Sequence, residues 1–166
     1  METQRKFTSK IDSVVKLNRG RMYDTAYNIY GYAEYLLNIF KAPAYKNKVL
    51  DAKLSYDRFI SYLKVIINES DWIMARMEIG FNGFDRDDNF PINDSLALSS
   101  LEKEKKRVAT IQRTINEALF MDIANLYGSD RIYKAIRGIK NDTKKLDTYF
   151  TQSINVVKRN AASKRK

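Results

Sequence analysis

The sequence predicts an all-α fold, a helical bundle of four long helices plus one or two short ones. Three observations carry that prediction. Apolar residues recur at three- and four-residue intervals along most of the chain. Six glycines and two prolines are too few to punctuate many short elements. No stretch shows the period-two alternation of a half-buried strand. At 166 residues, 44% of them apolar and 30% charged, the chain is long enough for a core of its own. One domain is expected over residues 1–160, with a basic flexible tail over 161–166.

Each element follows from its spacing. Phe7, Ile11, Val14 and Val15 predict a short first helix that stops near Asn18-Arg19-Gly20, with the glycine as its C-terminal signal. Met22, Ala26, Ile29, Ala33, Leu36 and Phe40 predict the next, up to Ala42-Pro43. Val49, Ala52, Tyr56, Phe59, Leu63, Ile66, Ser70, Ile73 and Met77 form a near-heptad seam that predicts one long helix ending before Gly80. Residues 80–95 are expected to be a loop. Ser99 or Ser100, followed by Glu102 and Glu104, then offers capping chemistry for a helix whose seam runs Leu101, Val108, Ile111, Ile115, Leu119, Asp122, Leu126. Gly128-Ser129-Asp130 breaks the chain and caps a last helix. Its apolar line is Ile132, Ile136 and Ile139, continued by Leu146, Phe150, Ile154 and Val157 past Asn141-Asp142.

Composition removes whole classes of chemistry. With no cysteine and no histidine, disulfides, zinc fingers, thiolate catalysis and His-based general-base catalysis are excluded. An enzyme would have to rest on carboxylates, Lys, Tyr or Ser, with carboxylate–metal chemistry as its main route. A non-catalytic protein without cofactor or metal is the expectation. Asp85, Asp87 and Asn89 resemble the start of a calcium loop, but Phe90 stands where the turn glycine belongs and Leu96 where a bidentate Glu is needed. No apolar run approaches the roughly 18 residues that span a bilayer, and the N-terminus leads into no apolar segment of a secretory signal. No membrane role is expected, and the location expected is cytoplasmic or virion-associated.

The formal charge of +10 is unevenly distributed. Residues 129–166 hold eleven Lys/Arg against three Asp/Glu, whereas residues 49–100 hold five against nine. At about 100° per residue, Ile132, Ile136 and Ile139 share one side of the last helix, while Arg131, Lys134, Arg137 and Lys140 fan across the other. Lys144, Lys145, Lys158 and Arg159 extend that fan, and Lys164, Arg165 and Lys166 follow. Several cations on one rigid face suit a polyanion, because each phosphate contact releases counterions. Arg131, Lys134, Arg137, Lys140, Lys144, Lys145, Lys158 and Arg159 are therefore the candidate nucleic-acid-binding residues. Arg5, Lys6, Lys10, Lys16 and Arg19 would join them if both termini lay at one end of the bundle.

A second basic run, Lys103, Lys105, Lys106 and Arg107, is interleaved with Glu102 and Glu104 and fits a solvated helix face. Five tyrosines crowd residues 22–40. Tyr23, Tyr27 and Tyr30 share a face, as a stacking platform beside Arg19 and Arg21 or, more simply, as a packing or subunit contact. Trp72, the only tryptophan, falls off the seam of its helix and is expected to serve a second packing face.

The function expected is an accessory or packaging subunit of a nucleoprotein complex, a helical bundle that grips RNA or DNA backbone through its basic C-terminal helix. The alternative is a structural or assembly protein of a phage, virus or mobile element that oligomerises through its long helices. A homo-oligomer or a protein partner fits either.

Overall fold

Six helices realise the apolar spacing in a computed structural model. It describes the backbone of residues 2–79 and 94–165 and the side chains of residues 18–78 and 97–159. They are α1 (Glu2–Phe40), α2 (Pro43–Asp51), α3 (Tyr56–Ile79), α4 (Asp94–Ile115), α5 (Ala118–Tyr127) and α6 (Asp130–Arg165). No strand occurs among the described residues, so the all-α fold of four long and two short helices holds.

Several boundaries differ from expectation. The break at Gly20 does not occur, and α1 runs through it as one helix of 39 residues. An interior glycine costs a helix only about 1 kcal/mol, which packing on both sides of it outweighs. Asn18, read as part of a stop, instead bonds across to α6. The seam from Val49 to Met77 is not one helix, because Ala52–Ser55 interrupts it. Lys53 takes a left-handed conformation (φ 59°), and Leu54 N–H donates to Val49 O at 3.2 Å, closing α2. Ser99 and Ser100 lie inside α4, which opens at Asp94, and Ser100 is buried. Asn116 and Glu117 divide α4 from α5, which leaves Asp122 exposed rather than on a seam. A helical period thus survived each turn by coincidence of spacing. Gly128 does end α5: it is left-handed (φ 56°), and its N–H reaches Ala124 O at 3.0 Å. Residues 161–165, expected as a tail, continue α6 as helix.

Side-chain contacts fix the topology. Phe40 meets Phe59 edge-on at 4.8 Å, and Arg19 donates to the Met77 and Glu78 carbonyls, so α1 and α3 are antiparallel. Glu69 pairs with Arg107 and Arg76 with Glu104, which makes α3 and α4 antiparallel. Asn18 bonds Ser153 and Tyr32 lies against Gly138, which makes α1 and α6 antiparallel. With α4 packed on α6, the four long helices close a ring in the order α1, α3, α4, α6. Phe59–Phe120 and Tyr127 Oη–Tyr45 O (2.7 Å) fasten α5 and α2 across one end.

The core runs the length of this ring. Phe40, Phe59, Phe120 and Phe150 are fully buried, each contributing about 1.5–3 kcal/mol by leaving water. Ile132, Ile136, Ile139, Leu146, Phe150, Ile154 and Val157 pin one side of α6 to that core. Its other side is thereby held rigidly towards solvent.

Candidate nucleic-acid interface

Burial divides α6 into two faces. Arg131, Lys134, Arg137, Lys144, Lys145, Lys158 and Arg159 are exposed, and Lys140 is half-buried. All eight candidates thus lie away from the buried isoleucine side, on a line of about 42 Å at 1.5 Å per residue. Between Arg131 and Arg159 no exposed residue of α6 is acidic, because Asp142 is buried and Asp147 half-buried. The 13-residue interval from Lys145 to Lys158 carries exposed Gln152 and Asn155, whose neutral amide donors are of a kind that also bonds phosphate oxygens.

Of the eight cations, only Lys145 makes an ion pair among the described residues, with Asp142 at 3.9 Å. Burial raises the Asp142 carboxyl above its usual range, while Lys145 and a hydrogen bond from Asn28 oppose that shift. The other seven are available to an outside anion. Neighbouring helices widen the band. Arg21 of α1 lies over the Tyr149 ring of α6, 5.8 Å from its centroid. Arg107 faces α3, so Lys105, about 160° around α4 from it, falls on the flank towards α6.

Two further features were not singled out in the sequence. Lys41, Lys46, Lys48 and Lys53, all exposed, cluster on and around α2. Lys48 lies over Tyr127 at 4.7 Å and Lys46 over Tyr56 at 5.1 Å. Lys48 is thereby placed at Tyr127, three residues ahead of Asp130, where α6 begins. Only the contact of α2 with Tyr127 brings it there, and no local spacing announces it. The second feature is Glu104, read as part of a solvated run but only 2% exposed. Arg107 (3.1 Å) and Arg76 (3.9 Å) surround it. Glu104 Oε2 and Arg107 Nε make no aligned hydrogen bond, and burial raises the carboxyl above its usual range against the pull of those arginines. Its signal was legible: Glu104 falls on the line of Leu101, Val108 and Ile111.

The tyrosine trio does not join the basic face. Tyr23 and Tyr27 are exposed, while half-buried Tyr30 is hydrogen-bonded to Glu34 and lies near Asp71, on the α3 side of α1. Both effects hold its phenol protonated to higher pH. Arg19 donates to carbonyls at the end of α3, and Arg21 lies over Tyr149 of α6. Trp72, expected in a packing face, is 58% exposed with Arg107 over its ring at 5.1 Å. The fragment from Asp85 to Asn89 lies outside the described residues. Among those described, no group of three acidic side chains could hold a metal ion, and no helix is long and apolar enough to cross a membrane.

The antiparallel pairing of α1 and α6 puts both termini at one end. Continued at the same register, the backbone sets the positions Arg5, Lys6, Lys10 and Lys16 alongside Lys158, Arg159, Lys164 and Arg165. No family model matches the chain, and comparisons with curated proteins and with solved structures find no match either.

Proposed function

We propose that this protein binds the phosphate backbone of a nucleic acid along the solvent face of α6, as a non-catalytic accessory or packaging subunit. One observation carries the proposal: seven exposed cations and one half-buried one on a single rigid helix, with no exposed carboxylate among them. Counterion release makes such a row favourable, and its strength falls with salt. The row exceeds one duplex turn of about 34 Å, so it can touch successive phosphates without reading bases. Arg21 and Lys105 on the flanks, and Lys48 of α2 near its start, support a band rather than a line.

The test is fluorescence anisotropy with labelled single- and double-stranded RNA and DNA at about 50 and about 200 mM salt. Changing Arg131, Lys134, Arg137 and Lys140 together to Gln should weaken binding. It should also flatten the log–log salt slope by up to about 0.9 for each duplex phosphate that the variant no longer neutralises. Unchanged affinity in that variant would overturn the proposal. The alternative, a structural protein that assembles through its long helices, is supported by the tyrosine-rich outer side of α1, which carries no Lys or Arg over residues 22–40.

A further inference from the structure

In a chain of net charge +10, residues 22–40 contain no Lys or Arg at all, but five tyrosines and two carboxylates. This stretch supplies the outer side of α1, between α3 and α6. Tyr27 is 60% exposed there, the most open of the large apolar side chains among the described residues, and Tyr23 and Tyr35 are exposed beside it. One turn on from Tyr27 stands Gly31, also exposed, where an added Cβ would meet nothing within 4 Å. Glycine is the poorest helix former after proline, and nothing within this chain's own packing requires it at that position. Aromatic enrichment together with lysine depletion is the composition of a protein–protein contact.

The geometry points to a second copy of this chain as the occupant, docked α1 against α1 about a two-fold axis. Tyr27 and Gly31 are four residues apart on one ridge, so an antiparallel contact centred at the level of Ile29 seats Tyr27 of each copy over Gly31 of the other. The same register brings Asp24 near Tyr35 of the second copy, and Glu34 near Tyr23, so both carboxylates meet phenol donors on their own flank of the contact. The chain already uses this device internally. The Tyr32 ring lies against Gly138, with Cε2 2.5 Å from where a Cβ would stand, and so lets α1 and α6 approach. Charge selects the face as well. Two copies meeting through α6, α4 or α2 would oppose cations, whereas residues 22–36, which this register pairs with one another, include none. The dimer leaves both α6 faces open and does not depend on polyanion binding.

The test is light scattering or sedimentation of the full chain, free of nucleic acid, across a concentration series. The wild type should move from one chain's 19.4 kDa towards twice that mass. Tyr27→Arg should weaken association at least about tenfold. Gly31→Ala separates the contact from any folding role. It should raise thermal stability at low concentration, as an exposed glycine-to-alanine change does, yet weaken the dimer. Trp72→Ala on α3 and the quadruple α6 variant should both dimerise as the wild type does. A wild type that keeps one chain's mass at about 500 µM, or a dimer whose affinity neither Tyr27→Arg nor Gly31→Ala alters, would overturn the inference.

Discussion

Gly138 and Gly20 both sit inside long helices, yet their surroundings assign them opposite roles. At Gly138 a methyl group would strike the Tyr32 ring, whereas at Gly20 it would meet open space. Gly138→Ala should therefore lower stability by about 1–3 kcal/mol through overpacking between α1 and α6. Gly20→Ala should raise it by about 0.5–1 kcal/mol. Urea titration of the two variants checks both signs. Glu104 supplies a second residue-level expectation. Burial raises its folded-state carboxyl above the unfolded value, so the stability it contributes is present at low pH and lost as pH rises through the folded value. Lowering pH from about 7 to about 4.5 should thus stabilise the wild type relative to Glu104→Gln. Superimposable pH profiles for the two proteins would show that Arg107 and Arg76 fully offset the buried charge.

At the scale of the element, α1 and α6 are matched by polar groups as well as by core side chains. Asn18, 2% exposed, donates to Ser153 Oγ at 3.2 Å, with the Tyr149 carbonyl and Gln152 Oε1 at 3.4 Å. Ten residues further along α1, Asn28 bonds the buried Asp142. A one-turn slip of either helix would strand these groups without partners, so they set the register as apolar packing alone does not. Asn18→Ala should cost about 1–3 kcal/mol, since the Ser153 and Tyr149 acceptors lose a buried donor. Chemical denaturation measures that loss. Helix content and the two faces of α6 were legible in the sequence, because 3.6-residue periodicity encodes a buried and an exposed side directly. The helix ends were less legible. Gly20 carries a stop signal that α1 overrides, and Ala52 and Tyr56 continue a period across a turn made by Lys53.

Over the whole molecule, the ring order sorts surfaces that the sequence only names. α6 stands diagonally across from α3, so the basic band and exposed Trp72 look in different directions. Tyr30 falls on the α3 side of α1, near Asp71, whereas Arg21 lies over Tyr149 of α6. Lys48 of α2, some 80 residues ahead of α6 in the chain, comes near its start through Tyr127, which it covers and which stacks on Tyr45 at 5.1 Å.

By itself the sequence determined the all-α class, the absence of cysteine and histidine chemistry, and the cationic outer face of α6. Each depends on composition or on spacing within one helix, which no neighbour can alter. Only the tertiary structure decided which termini meet, which carboxylates are buried, and which tyrosines face acidic rather than basic surroundings. Those properties belong to pairs of helices, and a pair's register and flank are set by contacts between residues remote in the chain.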